Sequence, residues 1–316
     1  MSESLAGTFI VAVTPLDDKR NQDQGSYRSL IEYCYRAGVT GLTILGESAE
    51  RDQLSKEERQ RILSATFEAM GGKLSIVVGT GSESLQLTIQ SSISAQDLGA
   101  SAVMIPPPRR LKVGPEFPNE DAIFDYFSSV GDAIRIPMIV QDFPQADRPK
   151  MSPILIGRLN REISSAKYLK LEDPPTPMKL MKVREITGDR LRIFSAFYGR
   201  DSFWDLKRGA VGIMTSSPTP EYLVAMYNAY VAGDLDKAFD IYLNTLPLVH
   251  YCSELGLAVR KEILVKRGVI QTSKMKLPEK ELADSQKEDL SDVLAWVEKK
   301  VLSSTGVSPL NFLRVP

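Results

Sequence analysis

Lys170 and Glu172 stand two residues apart in the run Ala166-Lys-Tyr-Leu-Lys-Leu-Glu-Asp-Pro-Pro175, an apolar stretch that carries an amine and a carboxylate into a pair of prolines. In an extended chain successive side chains alternate faces, so Tyr168, Lys170 and Glu172 share one face and Leu169 and Leu171 the other. On an exposed edge the two charges would form a same-face ion pair. In an enclosed site, burial favours the neutral amine, the form that attacks a carbonyl to give a Schiff base, and the adjacent carboxylate can then move protons. What surrounds the stretch decides between the two.

The chain has 316 residues, 43% of them hydrophobic, enough for one barrel-sized domain with an extension or for two ordinary domains. Thirty-nine basic and 40 acidic residues leave a net charge of −1, and no basic block marks a nucleic-acid or membrane surface. The expected partners are small molecules and copies of the same chain. Cys34 and Cys252 lie far apart without metal-ligand spacing, which argues against zinc and against a disulfide framework. His250 is the one histidine, so multi-histidine metal sites and serine triads lose their support, and a structural role is expected for it. No basic segment followed by an apolar run opens the sequence, and no window approaches about 18 uninterrupted apolar residues. A cytoplasmic location is the working expectation.

Short apolar runs alternate with helical periodicity along most of the chain. Residues 8–13, 40–45, 74–78, 102–105, 137–141, the Lys170 stretch, 191–195 and 210–214 read as strands. Between them Tyr27, Leu30, Ile31 and Cys34 recur at helical spacing, Ser55-Lys-Glu-Glu58 forms a capping box, and Ser152-Pro153 supplies an N-cap and first turn. Residues 83–98 and 120–130 are also helical in pattern. Strand starts fall about 20–35 residues apart, the spacing of βα units. Eight such units predict a (β/α)8 TIM barrel over residues 1–217. Residues 218–316 show helical patterns only, including 235–246, 251–266 and 290–302, and predict a C-terminal helical extension packed on the barrel. A doubly wound sheet is disfavoured because no Gly-x-Gly-x-x-Gly follows the first strand.

Catalytic groups in such barrels gather at the carboxyl ends of the strands. There the sequence places Gly46-Glu47-Ser48, Gly79-Thr80-Gly81, Pro106-Pro107-Pro108, Gln141-Asp142-Phe143-Pro144, Lys170 with Glu172, Ser195, and the segment that starts at Gly212. A strand-end lysine aimed into a barrel mouth is costly to bury unless it is used.

The order and spacing of Gly46-Glu47-Ser48, Gly79-Thr80-Gly81, the proline after the fourth strand, Asp142-Phe143-Pro144 and Lys170 resemble the dihydrodipicolinate synthase and N-acetylneuraminate lyase superfamily of Schiff-base (β/α)8 lyases. The resemblance implies that Lys170 forms the Schiff base and that Leu45, Gly46, Glu47, Ser48 and Gly212 bind substrate. Backbone N–H groups at Gly46 and Glu47 would hold its carboxylate. A homotetramer is implied as well. The departures are specific: Ile44 and Leu45 replace two small hydroxyl residues, Gln141 replaces a tyrosine, Pro107 and Pro108 stand where synthases place another tyrosine, and Ala146 stands at an arginine position, with Arg148 out of register. The hydroxyl proton relay is missing, which speaks against a true dihydrodipicolinate synthase.

The 2-keto-3-deoxy-L-arabonate dehydratase branch is more similar, in Val-Gln-Asp-x-Pro at 140–144, Tyr-x-Lys-x-Glu at 168–172, Lys179-Leu180 and Leu-Pro-Leu at 246–248. Dehydration needs an iminium at C2 to acidify C3–H, a base for that proton and an acid for the departing hydroxyl. Lys170 supplies the first and Glu172 the other two, while Gln141 orients a hydroxyl or water. The expected activity is dehydration of a 2-keto-3-deoxy sugar acid by a carbon–oxygen lyase that uses neither cofactor nor metal. Two alternatives stand beside it: a pyruvate-dependent aldolase of the same superfamily, and a synthase-like barrel that has lost catalysis and binds a metabolite. The basic loop 109–118 is either a second carboxylate site or solvated, and the apolar tail 308–316 docks on its own chain or a neighbour.

Overall fold

Eight of the apolar runs form β1 (Gly7–Val11), β2 (Gly41–Ile44), β3 (Ser75–Gly79), β4 (Ala102–Ile105), β5 (Met138–Asp142), β6 (Ala166–Leu171), β7 (Arg192–Ser195) and β8 (Gly212–Thr215). All neighbours pair parallel in chain order, and β8 returns to β1, so the sheet closes into a barrel. The computed structural model describes residues 5–112 and 119–306. The tail at 308–316 and part of the basic loop, 113–118, lie outside the described residues.

Outside the strands run α1 (Gln24–Arg36), α2 (Lys56–Met70), α3 (Leu85–Asp97), α4 (Glu120–Ala133), α5 (Pro153–Glu162), α6 (Thr176–Thr187), α7 (Ser202–Lys207) and α8 (Pro220–Val231), the last packed on β1 and β8. Residues 220–231, expected to open the extension, are the helix that follows β8 in the barrel, and the helices beyond it are α9 (Leu235–Leu255), α10 (Leu257–Lys266) and α11 (Asp284–Thr305). The chain is thus a (β/α)8 barrel with C-terminal helices. Among the described residues no helix is long and apolar enough to cross a membrane.

Local chemistry sets the helix ends. Ser55 Oγ accepts from Glu58 N at 3.1 Å while the Glu58 carboxylate accepts from Ser55 N at 2.8 Å, the reciprocal cap read from the sequence. Ser152 caps α5 ahead of Pro153. The extension departs from expectation. Pro247 lies inside a continuous α9, and the break falls at Gly256 instead, whose φ of 69° suits a residue without Cβ.

Strand alternation divides the core in two. Phe9, Val11, Val77, Met104, Ile139, Tyr168, Phe194 and Met214 point inward and fill the barrel, while Ile10, Leu42, Val103, Leu169 and Ile193 point outward under the helices. Burial on both faces is why parallel strands read as continuous apolar runs. Phe9 and Phe194 meet edge to face at 5.3 Å. A Cβ on Gly41 would come to 2.2 Å from the Phe9 ring, so glycine there is what lets Phe9 occupy the interior. At the barrel's amino end Leu5 N donates to the Tyr168 hydroxyl at 3.0 Å.

Ion pairs fasten the extension to the barrel. Arg267, just past α10, donates to Glu221 on α8 at 2.7 Å, to the Tyr33 hydroxyl on α1 at 2.7 Å and to Glu298 on α11 at 2.8 Å. Lys261 on α10 is fully buried and sits 2.6 Å from Glu50, which follows the Gly46–Ala49 turn, and 2.8 Å from the Lys274 carbonyl. Buried charges of this kind persist because each has a partner.

Candidate active site

Gln141 on β5 and Lys170 on β6 are paired residues in the sheet register, so their side chains rise side by side. Glu172, one residue past β6, repeats the face of Lys170. Lys170 Nζ lies 3.0 Å from Glu172 Oε2, and Gln141 Nε2 donates to the same oxygen at 2.7 Å. The Lys170 and Glu172 side chains are only 5% and 8% exposed, which removes the exposed-edge reading. One carboxylate oxygen is therefore shared between an amine and a fixed amide donor. That oxygen can take a proton from the amine or from a carbon held beside it.

Glu47 and Ser48 line the same cavity as these three residues. The Glu47 carboxylate is neutralised from behind. Arg148 Nε donates to its Oε1 at 3.0 Å, and Arg148 Nη2 donates to it as well. Arg109 Nη2 approaches Oε2 at 3.5 Å. Arg148 is out of register in sequence, but the 3-10 turn Pro144–Ala146 and the left-handed Asp147, φ 57°, carry it back to Glu47. The other basic groups of the 109–112 segment are also engaged within the chain: Lys112 pairs with Asp147 at 2.6 Å and Arg110 Nε donates to the Glu83 carbonyl at 2.8 Å.

Leu45 and Gly46 shape the turn rather than line the Lys170 cavity. Leu45 has a φ of 54°, and its carbonyl comes so near β3 that a Cβ on Gly79 would sit 2.3 Å from it. The Leu45 side chain faces an adjoining pocket with Gly79, Thr80 and Ser82. A Cβ on Gly46 would lie 2.9 Å from Val11 Cγ1. Gly212 is a correction to the expected set. It opens β8 at the barrel's amino end, where a Cβ would strike the Gly7 carbonyl at 2.1 Å. Strand direction puts Thr215 and Ser216, at the other end of β8, in the cavity instead.

Two further lining residues escaped the sequence reading. Tyr198 follows β7 with φ 62°, next to Phe197 at φ 49°, an unfavourable backbone for two consecutive non-glycine residues. Burial pushes the Tyr198 hydroxyl above its ordinary range, the Arg260 charge pulls it back, and the Glu172 charge pushes it further up. The signal was available, since Tyr198 sits just past a strand end. Arg260 comes from α10, far beyond the last strand, and nothing in its neighbourhood of the sequence marks it.

Behind β5 and β6 the opposite face is buttressed. Asp142 is fully buried, 2.6 Å from Lys179, which also lies 2.9 Å from Asp173. Burial pushes the Asp142 carboxyl up to about 6, with Lys179 opposing. No group of three or more His, Cys, Asp or Glu is placed to hold a metal ion among the described residues.

Residues 4–296 match the dihydrodipicolinate synthetase family. The L-2-keto-3-deoxyarabonate dehydratase of Azospirillum brasilense is 30% identical over 301 residues, 94% of this chain and 96% of that protein. The 4-hydroxy-tetrahydrodipicolinate synthase of Methanosphaerula palustris is 28% identical over 92% of this chain and 98% of its own. Among solved structures, the dihydrodipicolinate synthase of Rhodopseudomonas palustris superposes with a TM-score of 0.85 at 28% identity, covering 92% of this chain and 97% of that one.

Proposed function

The chain belongs to the dihydrodipicolinate synthetase family, and on that premise we propose that it is a Schiff-base dehydratase of a 2-keto-3-deoxy sugar acid, of the 2-keto-3-deoxy-L-arabonate type. The observation that carries the reading is the shared oxygen: Glu172 Oε2 lies 3.0 Å from Lys170 Nζ and accepts from Gln141 at 2.7 Å. Neutral Lys170 adds to the C2 carbonyl, and loss of water gives the iminium. Glu172 removes a C3 proton, and the electron pair forms the enamine. The enamine expels the C4 hydroxyl, which leaves as water with the proton from Glu172. Rehydration of the resulting imine releases the product and regenerates the amine. Gln141 cannot exchange protons at neutral pH, but it holds the carboxylate toward the amine. The turn that Gly46 opens takes the C1 carboxylate where Glu47 and Ser48 line the cavity. A homotetramer belongs to the same proposal, and sedimentation velocity tests it.

The relative from Azospirillum brasilense supports dehydration, and the absence of hydroxyl residues at positions 44, 45 and 141 supports a departure from synthase chemistry. The synthase-named relatives favour a second reading, carbon–carbon cleavage or condensation from the same enamine. The test is borohydride trapping with pyruvate and with 2-keto-3-deoxy sugar acids, followed by peptide mapping and product analysis. A reduced adduct on Lys170 with a dehydrated product is expected. Pyruvate as product would favour the aldolase, and no adduct with any 2-oxo acid would overturn the Schiff-base reading.

A further inference from the structure

Arg260 is 5% exposed, points from α10 into the cavity that holds Lys170 and Glu172, and its Nε has no hydrogen-bond partner among the described residues. No described carboxylate pairs with it. The other charges around the cavity are balanced: Lys170 against Glu172, and Glu47 against Arg148 and Arg109. Among the described residues Arg260 stands against Tyr198, with the guanidinium carbon 5.1 Å from the ring centroid and a side-chain hydrogen bond to the hydroxyl, which leaves Nε unused. A buried guanidinium with an unused donor is expensive to keep unless a ligand supplies oxygen atoms to it.

Its position tells which part of a ligand it meets. The reading above pins C2 on β6 and C1 at the turn after β2. Arg260 and Tyr198 share the cavity with Thr215 and Ser216, and the ends of β7 and β8 lie to one side of the line from the β2 turn to Lys170 on β6, so a chain that leaves C3 toward that side meets them. We propose that Arg260, flanked by Tyr198, is the specificity-determining residue that receives the oxygen atoms at the far end of the substrate, so that the enzyme selects 2-oxo acids with an oxygen-bearing tail over alkyl ones. The assignment rests on the proposed placement of C1 and C2. It gives the C-terminal extension a direct part in substrate choice.

Four 2-oxo acids test it: pyruvate, which has no tail, and three five-carbon acids, namely 2-oxopentanoate with an alkyl tail, 2-keto-3-deoxy-L-arabonate with a hydroxyl tail and 2-oxoglutarate with a carboxylate tail. Binding is read by ligand-observed NMR titration of the full chain carrying Lys170→Ala, with and without Arg260→Gln. No imine forms there, so failure of the Schiff-base reading, which borohydride trapping reports separately, does not touch the outcome. At least one oxygen-tailed acid should bind at least about tenfold more tightly than 2-oxopentanoate. Arg260→Gln should erase that advantage by about 10–100-fold, the worth of a charge-assisted hydrogen bond, and leave pyruvate within about twofold. Whichever tail loses most names the group that Arg260 receives. Should Arg260→Gln not fold, Arg260→Lys keeps the charge but not the planar donor fork and should show a smaller loss confined to the same ligand. Equal weakening of pyruvate and all five-carbon acids, or no change in the tail preference, would overturn the assignment.

Discussion

Glu172→Gln isolates proton transfer from everything else the site does. The substitution keeps the side-chain volume beside Lys170 and leaves a carbonyl oxygen that can still accept from Gln141, now 2.7 Å from the carboxylate. It removes the carboxylate that lies 3.0 Å from Lys170 Nζ and is proposed to take the proton. A positioned acid–base group contributes about 10²–10⁴ in rate, which is ~3–5 kcal/mol of barrier at 1.4 kcal/mol per decade. In the proposed cycle the same oxygen serves as base and then acid, so a loss toward the upper end is expected, falling on kcat while KM changes little. The most direct assay is exchange of the pyruvate methyl protons for deuterium in D2O, followed by NMR, because it needs the iminium and the base but no particular substrate. Wild-type protein should exchange, Lys170→Ala should not, and Glu172→Gln should trap a borohydride adduct on Lys170 yet exchange at least about 100-fold more slowly. A thermal midpoint near wild type confirms that the variant is folded. Exchange by Glu172→Gln at the wild-type rate would refute the assignment of Glu172 as the base.

Three further outcomes follow from the packing and the charges. Asp205 is buried, accepts from Ser195 at 2.6 Å and from Thr176 at 2.9 Å, and burial raises its carboxyl from 3.8 to about 6. A raised acid favours the folded state most below the unfolded value near 4, and that contribution is lost as pH rises through 6; its full size is at most about 3 kcal/mol. Urea unfolding at pH 4.5 and 7 should therefore show a smaller stability loss in Asp205→Asn than in wild type, and equal losses in the two would show that Asp205 is not the source. Arg267→Leu strands the buried Glu221 and should cost about 3–5 kcal/mol, seen as a lower urea midpoint. Gly41→Ala drives a methyl group into the Phe9 ring from 2.2 Å and should destabilise by about 1–3 kcal/mol; a neutral effect would mean that the inner core yields more easily than its packing implies.

The barrel was legible because the strands are buried on both faces and the helices on one, so the period changes at each boundary. The strand limits moved by only a residue or two, as at β1, expected over 8–13 and found over Gly7–Val11. The Lys170, Glu172 and Gln141 cluster was legible for a related reason: period-two spacing on β6 and a polar residue at the end of β5 are both local signals. Gly212 was misplaced because the sequence does not fix the limits of so short a strand: read over 210–214 the run ends near Gly212, whereas β8 over Gly212–Thr215 begins there. The split of α9 from α10 was misplaced because Pro247 is the stronger local signal, while the left-handed turn that ends α9 needs only the unremarkable Gly256. Arg148 was noticed beside an arginine position but read as out of register, and Arg260 was not legible as a site residue at all. One depends on a left-handed Asp147 to close its register, the other on tertiary packing of a helix some 45 residues past β8.

The extension and the β2 turn are best understood as one unit. Arg260 and Lys261 are consecutive on α10, and consecutive helical side chains diverge by about 100°. One enters the mouth beside Tyr198, and the other reaches Glu50 at 2.6 Å. Glu50 holds a left-handed φ of 52°, and its second carboxylate oxygen accepts from Lys276 N at 2.7 Å, so it is fixed from two sides by the extension. Because Glu50 closes the turn that begins at Gly46, the clamp that orders Glu47 and Ser48 also sets where Arg260 stands. Burial lowers the Lys261 amine below its ordinary range while Glu50 opposes that shift, so loss of Glu50 would leave a buried charge with no carboxylate and weaken the whole contact. A barrel deprived of α10 would keep Lys170 and Glu172 on β6 but lose the anchor of the turn and the guanidinium across from it. On the proposed reading, Schiff-base chemistry and substrate selection are held by different parts of the chain, joined through the adjacent Arg260 and Lys261.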